Sequence, residues 1–523
     1  MNLVNEMNTK PSSKFFADNQ VSSGHGKSSL RGGLFSIVSR LGNVIVQVAS
    51  TVWVFRVLSV EDVGMVGMVA SLTGFAPVLM DLGTRDAAVQ KDKITENEVS
   101  ALFWLTMSIG AGISILVASC STLIASFNDE PRLVSIALVS SISFIISAAS
   151  CQHTALLRRA MMFRELAILE VGANIFGAVG SIAMAMAGMG YWSLVVKPIL
   201  QAVFTLAAVL WYCRWVPGVP RITEGVKEMV GFGLNVTGFT MVDYVGKAAD
   251  QVAIGHQRGG VLGAEDLGYY RKAFFIYDNA LGLLSVCLHS VAVASLSKLR
   301  DNLAELKRSW SVALSTLAFY GMPVFAILAV TGEDCVVLLV GEKWLFAGLI
   351  VNILALRGIP HCVERTLGWL HVPAGRADRW ARWGVIGTGA HLLALPLGIP
   401  FGAIGVATTY TVTMYFLFIP AIAYAGQPLG IGAKDVLRTV GPQMVGALCT
   451  ALFGFELLFN FCEDVPRLLR VPLLSVACLT MYFIIVAWLF KVRKPLDVVK
   501  KLARDFLPAR FGGHNPESGT KPA

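Results

Sequence analysis

Apolar and polar residues come in blocks along this chain. From residue 34 onward, runs of roughly 18 to 28 mostly apolar residues follow one another, which is the length a helix needs to cross a hydrocarbon core about 30 Å thick. The runs mix Gly, Ala, Leu, Val, Ile and Phe with no strict period of two, so the pattern predicts membrane-spanning helices and not an outer-membrane barrel. About fourteen such spans fit. The first covers 34–58, the seventh 229–255, the ninth 309–331, the tenth 345–371 and the last 470–490. The fold class expected is all-α integral membrane protein.

Charge changes this picture only by orienting it. Of 523 residues, 55% are hydrophobic and 15% charged, where a soluble chain carries about 25% charged residues. The net charge of +9 raises the question of nucleic acid, but its placement answers otherwise. With the N-terminus inside, about 30 Lys and Arg fall in cytoplasmic segments and about 6 outside. Arg158, Arg159 and Arg164 form one inside cluster, and Lys298, Arg300, Lys307 and Arg308 another. The basic charge is topological, no nucleic-acid partner is expected, and both termini are expected in the cytoplasm. Residues 1–33 are polar, lack the apolar centre of a signal peptide and read as a disordered tail; 491–523 read as a basic one. The nine cysteines are scattered, with no C-x-x-C pair, so neither a metal site nor a disulfide framework is expected. Internal loops reach about 15 residues, too short for a soluble catalytic domain of about 50 or more. Trp53, Trp104, Trp192, Trp215, Trp344, Trp380 and Trp383 lie near span ends and read mostly as an interfacial belt.

The chain repeats itself. "GLFSIVSRLG" at Gly33 precedes "VEDVG" at 60–64, and "GLNVTGFTMV" at Gly233 precedes "AEDLG" at 264–268. The Gly-Leu starts are 200 residues apart and the acidic turns 204. In both places the acidic pair stands where it caps the next helix and favours its dipole. Six spans separate the units, so both enter from the same side, as parallel repeats about an axis along the membrane normal. The expected organisation is an N-terminal lobe over 34–212, a C-terminal lobe over 229–423, a central cavity between them, and two extra helices over 436–490.

Charges inside spans are costly, about 2.5 to 3.5 kcal/mol each at the bilayer centre, and so face a partner or water. The seventh span carries Asp243, Lys247 and Asp250 on one face. That face is either an internal ion pair or the hydrated wall of a cavity. Further spans add Arg40, Asp81, Lys197, Arg271, Lys272, Asp278, Arg357, Glu364 and Arg365, with cations in excess. Arg271 and Lys272 have an alternative reading as residues that snorkel to the interface. His153, His289, His361 and His391 are candidate proton carriers whose plainer reading is hydrogen-bonded packing. Tyr244, Tyr269 and Tyr270 are candidates to stack on sugar rings.

The turn "VLSVEDVGMVGMV" at 57–69, with "MDLGTRDAAVQKD", "ALFWLTMSIG", "ALLRRAMMFRELAILE", "GMGYWSLVV", "DQVAIG" and "LGYYRKA" in order over about residues 30–300, resembles bacterial lipid-linked oligosaccharide flippases. These belong to the multidrug/oligosaccharidyl-lipid/polysaccharide (MOP) exporter superfamily, and the resemblance is to its colanic-acid and succinoglycan transporter branch. Val60 stands where that family usually has Pro, and the loop in "GHQRGGVLGAEDLGYY" is longer than usual. The resemblance implies fourteen helices in two six-helix lobes plus two. It implies an inner-membrane protein, not an enzyme, that flips undecaprenyl-diphosphate-linked oligosaccharide units by alternating access, among membrane lipids and alongside a polymerase and a chain-length regulator.

On that reading, Arg40, Arg271, Lys247, Lys197 and Arg357 are candidates to bind the diphosphate, because a guanidinium fork matches phosphate oxygens. Arg40 and Arg271 lead, since the resemblance places cavity cations on the first and eighth spans. No phosphate-binding loop of the G-x-x-x-x-G-K-[ST] kind is present, so coupling to a proton or Na+ gradient is expected, through Asp243, Asp278, Glu364 and Asp81. No cofactor is expected. A cation-coupled drug or metabolite antiporter of the same superfamily and a membrane polysaccharide polymerase are the alternatives. The cation excess and the absence of a long outer loop speak against them.

Overall fold

In the computed structural model, residues 42–81, 94–221, 224–256, 263–297, 303–371, 377–492 and 495 are described, and among them the regular structure is helical. The first half holds α1 (Gly42–Val57), α2 (Val60–Thr73), α3 (Ala76–Asp81), α4 (Glu96–Ser119), α5 (Ser121–Phe127), α6 (Leu133–Arg159), α7 (Phe163–Met186) and α8 (Trp192–Cys213). The second holds α9 (Glu224–Gly255), α10 (Ala264–Ser297), α11 (Leu303–Val340), α12 (Leu345–His371), α13 (Ala377–Gly398) and α14 (Gly402–Gly426). α15 (Ala433–Phe461) and α16 (Arg467–Phe483) follow. Ten helical segments among the described residues are long and apolar enough to cross a membrane. α11 runs through 38 residues, about 57 Å at 1.5 Å per residue. It is therefore longer than the ninth span read from hydropathy, because it continues beyond the apolar stretch at both ends.

The helix starts follow local chemistry. Ser59 caps α2 by accepting from the Asp62 amide at 3.1 Å, while Asp62 accepts from the Ser59 amide at 3.3 Å. Thr95 and Glu98 do the same for α4, at 3.3 and 2.9 Å. The acidic pair of the second repeat, Glu265 and Asp266, sits in the first turn of α10. α2 stops at Gly74, and α3 restarts around Pro77, which lacks the amide to continue the ladder.

α6 packs against both α4 and α8, with α7 against α8. In the second half α11, α12 and α14 form a second group, with α13 against α14. α15 and α16 lie against α11. The anchor for α16 is the buried Asp334 of α11, which accepts from Arg470 Nε at 2.7 Å and pairs with Arg467 at 3.2 Å.

The halves meet where α2 crosses α10. A Cβ on Gly64 would lie 1.5 Å from the Ala264 carbonyl oxygen, and one on Gly268 would lie 2.4 Å from that of Val60. The 204-residue offset exchanges these two contacts, carrying Val60 to Ala264 and Gly64 to Gly268. The repeat read from the sequence is thus also a local two-fold in space, with backbones touching because neither glycine has a side chain.

Further contacts join the same end of the molecule. Arg56 donates to the carbonyls of Leu339 at 2.9 Å and Leu338 at 3.0 Å. His256, at 200 residues' offset, donates from Nδ1 to the Phe127 carbonyl at 2.7 Å and stacks on the Phe127 ring. Lys343 Nζ donates to the carbonyls of Arg56 and Leu58, and Trp344 Nε1 to that of Phe55 at 3.0 Å. Arg132 bridges Glu61 and Glu130 and holds the Glu130 carboxyl below its ordinary range. Trp344 and Trp215 are buried. They are not belt residues: Trp344 serves this seam, and Trp215 donates to Glu96 at 3.3 Å.

Gly64→Ala and Gly268→Ala are each expected to lower stability in detergent by about 1–3 kcal/mol, the usual cost of forcing a group into a packed contact. Gly112→Ala, where a Cβ meets nothing within 4 Å, is expected to leave it unchanged. Thermal unfolding of the three variants checks this.

Candidate functional site

Arg271 stands at the junction of α2, α9 and α10. Its Nη1 donates to Gln251 Oε1 at 2.8 Å and to the Gly67 carbonyl at 3.3 Å. Room for it comes from Gly67, where a Cβ would lie 2.4 Å from Arg271 Cδ. The repeat offset that pairs Gly64 with Gly268 pairs Gly67 with Arg271, so the guanidinium fills the space its counterpart leaves open. Among the described residues no carboxylate pairs with it. Tyr244, beside it, donates its hydroxyl to the Ser71 carbonyl at 2.5 Å. The snorkelling alternative fails for Lys272. Lys272 is buried with Nζ 4.2 Å from the Phe55 ring centre and 5.3 Å from that of Phe275.

A second polar cluster lies in the core of the second half. Arg357 of α12 is buried, with its guanidinium 3.7 Å over the Tyr410 ring and its Nη1 donating to the Tyr277 hydroxyl at 2.7 Å. Tyr277 in turn meets His361 Nδ1, whose ring turns Nε2 towards Glu364 at 3.7 Å. Asp250 of α9 is fully buried and accepts from the Tyr270 hydroxyl on Oδ2. His391 packs 4.2 Å from the Tyr410 ring. Asp250 Oδ1, Arg357 Nε and both His391 ring nitrogens have no hydrogen-bond partner among the described residues.

The remaining expected residues scatter. Lys197 Nζ donates to Ser50 at 3.2 Å, joining α8 to α1. Asp81 lies in a cavity of about 260 Å³ with Ser143, Ser147, Cys151 and Pro198, and its Oδ1 is 3.7 Å from the Cys151 sulfur. Asp278 and Arg365 are exposed. Arg40 lies outside the described residues, and the side chains of Asp243, Lys247 and His289 are likewise outside them. Asp250 does not continue a hydrated wall, because its helix turns it into the core. Tyr270 is buried on Asp250, and Tyr269 donates to Glu265 at 3.0 Å against Phe346, so neither is free for a sugar. His153 is a packing residue, held by the carbonyls of Ala149 and Trp215 at 3.1 and 3.3 Å. Among the described residues no three His, Cys, Asp or Glu side chains gather to hold a metal ion.

A mostly apolar cavity of about 730 Å³ runs along α9 from Tyr244 to His256, with Phe127 on one side and Ile399 and Pro400 on the other. A polar ladder in the first half went unread in the sequence: Gln201 donates to Asn174 and Asn174 to Asn43, each at 2.8 Å. Its signal was three carboxamides within apolar runs, where an unpaired amide is costly.

The model of a polysaccharide biosynthesis protein family matches residues 54–347. The teichuronic acid biosynthesis protein TuaB of Bacillus subtilis is 25% identical over 403 residues, 76% of this chain and 81% of that one. The succinoglycan biosynthesis transport protein ExoT of Rhizobium meliloti is 22% identical over 83% of this chain and 87% of its own. In structure, the lipid II flippase MurJ in an inward closed conformation matches with a TM-score of 0.68 at 14% identity, over 87% of this chain and 98% of that one. An inward-facing multidrug resistance transporter of the MATE family and MOP superfamily matches at 0.58 and 11% identity, over 74% and 94%. These likenesses show the fold. The chain belongs to the polysaccharide biosynthesis protein family, a multi-pass membrane protein with the fold of MOP-superfamily transporters.

Proposed function

We propose that this protein flips undecaprenyl-diphosphate-linked oligosaccharide units across the bacterial inner membrane by alternating access. One observation carries the reading: Arg271 is a guanidinium sunk between the two halves, held by a carbonyl and a carboxamide and by no carboxylate among the described residues. A half-buried permanent cation with only neutral partners is stabilised by an arriving anion. Its planar fork matches a diphosphate in two simultaneous hydrogen bonds. Lys197, Lys272 and Arg357 already spend their charge on a hydroxyl or on aromatic rings. Arg271 is therefore the leading ligand, with Arg40 and Lys247 as further ones.

The proposed frame is fourteen spans, with lobes over 34–212 and 229–423, and both termini in the cytoplasm. The end bearing Arg56, Phe127, His256 and Lys343 then faces outward, and its contacts between halves describe a state closed to the outside. Opening requires those contacts to break while the equivalent inner ends close. The likeness to a lipid II flippase and to teichuronic acid and succinoglycan biosynthesis proteins supports a lipid-linked glycan as cargo. A proton or Na+ gradient would drive the cycle, and a polymerase would consume the flipped units.

In a deletion strain, a membrane-impermeant glycan label is expected to miss complete lipid-linked repeat units, which accumulate on the cytoplasmic leaflet. Labelled, unpolymerised units on the outer leaflet would instead place the protein after flipping and overturn the reading.

Arg271→Ala, inserted at normal levels, is expected to lose at least about tenfold in transport, the loss of one charge-assisted contact, and Arg271→Lys to recover part of it. Full export by the alanine variant removes Arg271 from the site.

A further inference from the structure

Three helices of the first half meet in a row of neutral hydrogen bonds. Gln201 of α8 donates to Asn174 of α7, and Asn174 donates to Asn43 of α1, each at 2.8 Å. We propose that this carboxamide row is a wall that recognises the sugars of the lipid-linked unit, by hydrogen bonds to their hydroxyls, while Arg271 holds the diphosphate; this rests on the cargo reading given above.

Elsewhere in the protein, carboxamides that join helices are sealed. Gln152 and Gln443 have 0% exposure and donate to the hydroxyls of Thr106 at 3.3 Å and Ser315 at 3.0 Å. Asn43, Asn174 and Gln201 are only half-buried, so a ligand can reach them. The two ends of the row are open. Among the described residues Asn43 Nδ2 donates to nothing and Gln201 Oε1 accepts from nothing.

The surroundings fit the row. Gln201 has room because Gly177 of α7 lacks a side chain: a Cβ there would lie 2.5 Å from Gln201 Cγ. On α1, Asn43, Gln47 and Ser50 are four and three residues apart and so share one side of the helix. Gln47 is exposed inside that span. A carboxamide against hydrocarbon is costly, so this side of α1 is a hydrated one. Lys197, four residues before Gln201, lies on Ser50 at 3.2 Å. With an ammonium at one edge and no carboxylate among its members, the row does not suit a cation.

It does suit a sugar. A carboxamide offers an acceptor oxygen and donor hydrogens in one plane. Neighbouring hydroxyls on a sugar ring each donate and accept, so two of them can close two hydrogen bonds on one carboxamide. Bonds between neutral partners contribute little singly, so such a wall sorts cargo without trapping it. Its distance from Arg271 also fits. The ring of Phe55 on α1 touches Lys272, the neighbour of Arg271. Ser50 lies five residues before Phe55 and Asn43 twelve, about 8 and 18 Å along the helix at 1.5 Å per residue. A chain of a few sugars covers that interval.

Purified protein in detergent, titrated with undecaprenyl diphosphate and separately with the glycan-bearing lipid extracted from the organism's membranes, tests the proposal. The wild type is expected to bind the glycan-bearing lipid at least about tenfold more tightly, the yield of two or more neutral hydrogen bonds. Gln201→Met keeps the bulk beside Gly177, and Asn43→Leu keeps that of Asn43; water reaches the half-buried Asn174 in both. Each variant is expected to lose about threefold to tenfold of that preference and to bind undecaprenyl diphosphate as the wild type does. Equal wild-type binding of the two lipids overturns the wall and leaves the diphosphate reading standing. So does a preference kept in full by both variants, or a loss that falls equally on both lipids, as a mere brace between helices would give. A wild-type protein that binds neither lipid overturns both readings.

Discussion

The close crossing of α2 over α10 is the constraint on which the rest depends. Gly64 and Gly268 let two backbones touch at a point that is nearly the same from either side. Lipid offers no hydrophobic push between helices, so close packing of small residues is what remains to hold them. The contact lies at the starts of α2 and α10 and joins the halves there. The flanking contacts keep the symmetry only in part. Arg56 and His256 hold equivalent places, yet one carries a permanent charge and the other a titratable ring.

Symmetry is broken again one turn further on. Gly67 and Arg271 are repeat-related, and one side gives up its side chain so that the other can place a cation. The result is a charge with neutral partners at the junction of the halves. Elsewhere the protein settles its intramembrane charges differently: Arg357 on two tyrosines, Lys272 on two phenylalanine rings, Asp334 on two arginines. In a medium with little water, each unpaired polar group costs several kcal/mol on the order given by transfer data. Asp250, Arg357 and His391 keep polar atoms without a hydrogen-bond partner among the described residues.

Much of this was legible in the sequence. Apolar run length announced membrane helices, because the bilayer imposes that length whatever the fold. The repeat was legible because helix caps and close contacts demand particular residues, Ser59 with Asp62 and the glycines after each acidic turn. Intramembrane charges stood out because they are costly there. Their partners did not. The one-face reading of Asp243, Lys247 and Asp250 follows from helical periodicity, but which direction that face points is decided by the packing of α9 on α13, α2 and α10.

By itself, then, the sequence determined the class, the repeat and the set of residues from which a site can be built, since these depend on local spacing and on the cost of charge in lipid. Tertiary structure alone decided which of them meet. It buried Asp250 on Tyr270, drew Arg357 into an aromatic cradle, spent Lys197 on Ser50 and left Arg271 without a counter-charge among the described residues. The physical reason is that these contacts join residues tens to hundreds of positions apart, and their geometry follows from how helices cross, which no local pattern along the chain encodes.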